Sequence, residues 1–128
     1  MARLRPRSAV ALVAWTLFTW VSRVPLLWSD EEQSTAAKVA QSVPVLLFVG
    51  LAVAAVVVLV RRGPWTTVAG ALAIWSIGYW IVRYPLILTN DHEAAFTIVH
   101  GVLAAVAIGL GAWTLADLRS SATRRARA

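Results

Sequence analysis

Arg23, Arg83 and His100 are ionisable residues set inside long apolar stretches, and any chemistry in this chain starts from them. Arginine keeps its charge and offers N–H donors in a planar fork that suits carboxylates and phosphates. Histidine can handle a proton, bond across helices as a neutral ring, or ligate a metal. The two arginines belong to one repeated pattern, Trp-x4-Trp-x2-Arg-x-Pro-Leu. It reads Trp15, Trp20, Arg23, Pro25, Leu26 and recurs sixty positions later as Trp75, Trp80, Arg83, Pro85, Leu86. Two tryptophans, an arginine and a proline in register do not arise readily by chance in an Ala-, Val- and Leu-rich chain. Duplication of a two-helix unit explains them.

The residue types also exclude chemistry. The chain has no cysteine, which removes thiolate nucleophiles, disulfides and thiolate metal sites. No P-loop, nucleophile elbow or Ser-His-Asp spacing occurs. Haem held by two histidines would need a second one in an apolar stretch, and His92 falls in a polar loop. A lone histidine without a Glu-x-x-His pattern is a poor metal site. No metal or cofactor is expected. For His100, a neutral cross-helix hydrogen bond comes first, a proton-handling or ligand-binding group facing Arg83 second, and haem or metal ligation third.

The elements that must position these residues are membrane-spanning helices. Only 14% of the 128 residues are charged, against about 25% in a soluble domain. Four apolar runs cover about residues 8–28, 39–60, 66–88 and 94–116. Each reaches the roughly 20 residues that a spanning helix needs. They are apolar all round, unlike the striped helices of soluble proteins. The first run is too long, too rich in Trp and too poor in cleavage signals for a secretory peptide. Ala, Val, Leu and Arg bias suits a GC-rich bacterial genome.

Loop charge sets the orientation. Arg3, Arg5 and Arg7, then Arg61 and Arg62, then Arg119, Arg124, Arg125 and Arg127 are basic clusters; Asp30, Glu31 and Glu32, then Asp91 and Glu93, are acidic ones. Basic segments stay cytoplasmic. The expected fold is all-α and integral to the membrane: four transmembrane helices in two parallel-repeat hairpins, with both termini cytoplasmic. Residues 1–128 form one membrane domain, with repeat 1 at about 8–60, repeat 2 at about 66–118 and a basic tail at 119–128 that frays from Asp117. Net charge of +6 on so apolar a chain fits basic membrane flanks, not nucleic-acid binding.

Each arginine lies about 7 Å below the outer end of its run at the α-helical rise. A charge at the bilayer centre costs about 2.5–3.5 kcal/mol, and less where it can snorkel. Two readings of Arg23 and Arg83 stand side by side. They are structural clamps that reach outer-leaflet phosphates or Asp30 and Asp91, or they form a site. Pro25 and Pro85 remove the N–H groups due to the Val21 and Ile81 carbonyls, and Pro44 sits early in the second run. These three are the expected kinks. Trp20 and Trp80 lie three residues before the arginines, on the same face, placed for indole–guanidinium stacking. Trp28, Trp65 and Trp113 read as interfacial belts, Trp15 and Trp75 as packing residues. Close helix contacts are expected at Gly101/Ala105/Gly109, Gly50/Ala54 and Ala69/Ala73. Aligning Arg61 with Arg119 sets Ser42 opposite His100. A site is then expected at the outer ends of the third and fourth helices, with the first copy kept as scaffold.

Trp75, Trp80, Pro85, Asp91, Phe96-Thr97 and Val99-His100 resemble the pattern of short two-helix integral membrane proteins of actinobacteria, over about a third of the chain. The first half keeps Trp15, Trp20, Pro25 and Asp30 but lacks the Val-His pair. That resemblance implies the hairpin architecture and no activity. Three functions are open. One is a small non-catalytic protein of the bacterial cytoplasmic membrane, multi-pass, acting as an accessory subunit or self-associating bundle whose partners are lipid, other membrane subunits or itself. The second is a transporter or channel for a small anion or anionic lipid group, using Arg23 and Arg83. The third is a membrane redox or enzyme subunit using His100.

Overall fold

A computed structural model of the protein describes residues 7–29, 31, 34–61, 63–89 and 93–127, with backbone only at 26, 27, 124 and 125. The described residues are helical, without strands. The elements are α1 (Arg7–Val21), α2 (Arg23–Trp28), α3 (Thr35–Val60), α4 (Thr66–Thr89) and α5 (Ala94–Arg127). Four segments are long and apolar enough to cross a membrane: Arg7–Pro25, Thr35–Val60, Thr66–Thr89 and Ala94–Thr123. Large apolar side chains face outward along them, including Phe18, Leu46, Ile74, Val82 and Ile98, each more than 60% exposed. In water such a surface would be a liability; in lipid it is the required one.

The first apolar run is two helices, not one. Pro25 has no N–H for the Val21 carbonyl, and α1 ends at Val21. Ser22 adds to the break. Its hydroxyl donates back to the Phe18 carbonyl at 2.6 Å and the Thr19 carbonyl at 3.1 Å, a contact that bends helices. In the second copy Val82 stands where Ser22 does, and α4 runs unbroken through Pro85. α3 likewise continues through Pro44. It starts on a Ser34 cap, whose hydroxyl accepts from the Ala37 N–H at 3.2 Å. It ends with the Gly63 N–H reaching back to the Val58 carbonyl at 2.9 Å, after which Pro64 stops continuation. The basic tail does not fray at Asp117: α5 continues to Arg127.

The spanning helices form a closed ring in which α1 packs on α3, α3 on α4, α4 on α5 and α5 on α1. The closing seam between α1 and α5 is pinned at both ends. The Ser8 hydroxyl donates to the Asp117 carboxylate at one end, and Arg23 bonds His100 at the other. The two helices are therefore antiparallel. Inside the ring, Trp20 stacks on Phe48 with centroids 4.3 Å apart, and Tyr79 stands edge-on to both. Trp75 and Trp80 pack around them.

Small residues make the close contacts, though not all at the expected positions. Ala69 and Ala73 are buried as anticipated. Gly50, Ala54, Ala105 and Gly109 instead face outward, and the buried positions are Ala52, Ala55, Ala104, Ala107 and Gly111. The reason is the period. A strict four-residue step drifts off a helix seam, whereas alternating steps of three and four stay on it.

Candidate functional site

The end of the bundle away from the Ser8–Asp117 contact holds a cavity of about 280 Å³. Its walls carry Arg23 from α2, Trp20 from α1, Ala40, Gln41, Pro44 and Val45 from α3, Tyr79, Trp80 and Arg83 from α4, and His100 from α5. Every spanning segment contributes. The break at Ser22 places Arg23 at the first residue of α2, and Arg23 turns toward the neighbouring α5.

There the guanidinium Nη2 lies 2.7 Å from His100 Nε2. A guanidinium has donors only, so Nε2 must be the acceptor. That fixes the tautomer: His100 is neutral, and its Nδ1–H donates to the Phe96 carbonyl at 2.8 Å. The imidazole also stacks on the Phe96 ring at 3.9 Å. Both nitrogens are thus engaged in aiming Arg23. The guanidinium carbon sits 5.8 Å from the Trp20 ring centroid, within cation–π range.

The sequence places Arg83 opposite His100 and leaves Arg23 beside Ser42; the geometry reverses this. His100 takes the first arginine, through the α1–α5 closure that hairpin-by-hairpin alignment does not contain. Ser42 donates to its own helix, to the Lys38 carbonyl at 2.8 Å. The first copy is therefore part of the site and not scaffold. Arg83 lines the same cavity from the other side and is exposed at its mouth. Among the described residues its guanidinium has no hydrogen-bond or ion-pair partner, and the same holds for the Gln41 carboxamide and the Tyr79 hydroxyl. Asp30 and Asp91, expected as partners for the arginines, lie outside the described residues.

Trp20 and Trp80 are buried and form the floor, with Trp80 6.4 Å from the His100 ring. Of the three prolines, Pro44 reaches the cavity wall and removes the N–H that would bond the Ala40 carbonyl. Pro25 acts by ending α1. Two site residues escape the sequence reading. Tyr79 lies four positions before Arg83, the other helical neighbour distance besides the three-residue one that picks out Trp80. Gln41 continues the buried stripe Val45, Phe48, Ala52, Ala55 one turn outward. Deeper in the bundle, Thr16 and Thr114 satisfy their hydroxyls on their own helices, at 2.7 and 2.9 Å. Among the described residues the buried Thr19 hydroxyl and Trp75 Nε1 have no hydrogen-bond partner.

Comparisons of the chain with protein-family models, curated proteins and solved structures return no match. What the cavity can do is read from its own chemistry. Its described polar groups are chiefly donors, two of them permanent cations, with no described carboxylate in the lining. Such a wall turns positive charge and N–H and O–H donors toward the cavity.

Proposed function

We propose that the protein is a small, non-catalytic membrane protein that binds an anionic group in the cavity between its helices. The observation that carries this reading is the convergence of Arg23, Arg83, Gln41 and Tyr79 on one cavity, three of them without a partner among the described residues. These donors converge from three helices, only Arg23 meets a protein acceptor among the described residues, and an anion satisfies them together. The volume sits just under the usual 300–1,000 Å³ of metabolite pockets, which suits a small anion or a lipid headgroup fragment. Engagement of both His100 nitrogens supports anion binding over a redox role for this ring.

The loop charges support a bacterial cytoplasmic membrane location with both termini inside, which puts the cavity toward the outer leaflet. The repeat supports two duplicated hairpins, each contributing one arginine to the shared site. Neutral detergent gives a direct test. A series of sodium salts at constant ionic strength should raise the melting temperature of the wild-type protein by mass action. In Arg83→Gln the apparent affinity read from that shift should fall about tenfold or more, the loss expected when one partner of a charge pair is truncated. An identical response in both proteins would overturn the reading.

A further inference from the structure

We infer that the group bound in this cavity is a dianionic tetrahedral oxyanion, a phosphate or phosphomonoester, and that His100 is the positioning residue that selects it by aiming Arg23. The inference rests on the anion-binding reading and narrows it. Charge comes first. Two guanidinium groups face one cavity, with no carboxylate among its described lining residues. A monoanion balances one of these charges, whereas a dianion matches both.

Donor geometry comes second. Arg23 spends an N–H on His100 and keeps four others, Arg83 keeps five, and Gln41 and Tyr79 add theirs from α3 and α4. These donors arrive from three helices and so from several directions. A planar carboxylate accepts within one plane, and a halide cannot use a fork. A phosphoryl group with three free oxygens can accept from all of them. The buried floor of Trp20, Trp80 and Val45 shields the inner side of the cavity and strengthens the contacts made there.

His100 donates nothing to the ligand, because its Nδ1–H is held by the Phe96 carbonyl and its Nε2 lone pair by Arg23. Its part is to hold Arg23 across the cavity mouth. A side chain that offers a carbonyl acceptor at this place, as glutamine does, keeps that bond; phenylalanine does not.

The source of the phosphate is either water or lipid, and the test separates them at one pH, 8. In detergent, inorganic phosphate is titrated against dimethyl phosphate, a monoanionic diester with the same tetrahedral phosphorus but only two free oxygens. In nanodiscs, phosphatidate is compared with phosphatidylglycerol. A preference of about tenfold or more for the monoester form is expected in one arm, equivalent to about 1.4 kcal/mol, and the arm that shows it names the source. Arg83→Gln and His100→Phe should abolish the preference, and His100→Gln should restore it. Equal affinity for monoester and diester in both arms overturns this inference and leaves anion binding standing. No binding of any anion overturns both. A preference that persists in a folded His100→Phe protein removes His100 from the assignment.

Discussion

His100 and Gly111 show how single positions on α5 divide between site and packing. His100 could be read from the sequence as a buried histidine near an arginine, because its depth follows from residue counting. Which arginine it meets could not, since that depends on α1 closing against α5 across 77 residues. Tyr79 and Gln41 were legible in principle from helical spacing to Arg83 and to the Val45–Phe48 stripe. The glycines divide in the same way. A Cβ on Gly111 would meet Ile77 Cγ1 at 2.9 Å and the Ala73 carbonyl oxygen at 3.2 Å, and the latter is backbone. A Cβ on Gly101 would meet Tyr84 Oη at 2.7 Å, the far end of a side chain that can swing. Gly50 and Gly109 have open space around them. Gly111→Ala should destabilise the bundle by about 1–3 kcal/mol, and Gly101→Ala by less. Gly50→Ala and Gly109→Ala should be neutral or stabilising by up to about 1 kcal/mol. Reversible unfolding in mixed detergent micelles measures all four, and a Gly109→Ala cost equal to that of Gly111→Ala would contradict the packing described.

At the level of elements, the two copies of the Trp-x4-Trp-x2-Arg-x-Pro-Leu pattern fold differently. The four spans were legible because lipid demands long apolar runs, and Gly63-Pro64 marked the end of α3; the end of α5 was not, because its arginine-bearing tail stays helical to Arg127 past the apolar run. The break at Ser22 was half legible: Pro25 announces it, but Pro85 announces the same and α4 stays whole. Ser22, with two backbone carbonyls in reach of its hydroxyl, makes the difference. Replacing Pro25 by alanine should return a donor to the Val21 carbonyl, fuse α1 with α2 and turn Arg23 off His100. Anion affinity should then fall about tenfold, whereas Pro85→Ala, in a helix already continuous, should change it by less than about threefold. Titration of the two variants side by side checks this, and equal losses would show that the Ser22 break does not position Arg23.

For the whole molecule, the ring places Ser29, Ser34, Thr89 and Glu93 at the cavity end and Arg61, Gly63 and Trp65 at the other. The chain has no cysteine of its own, so single cysteines report cleanly. Cysteines placed at Ser34 and Glu93 should react with a membrane-impermeant maleimide in intact cells, and one at Gly63 only after permeabilisation. The reverse pattern would invert the orientation that loop charge predicts. The Ser8–Asp117 and Arg23–His100 pins also have a consequence in time. They join residues 109 and 77 positions apart, the first spanning segment to the last. At synthesis rates of about 5–20 residues per second, α1 waits on the order of 5–20 s in the bilayer before Asp117 exists. Until His100 is made, Arg23 lacks its partner on α5, and an arginine near the end of a span can snorkel to the headgroups. The nascent chain thus carries its first intramembrane charge without its histidine, and that bond forms only when the last helix closes the ring.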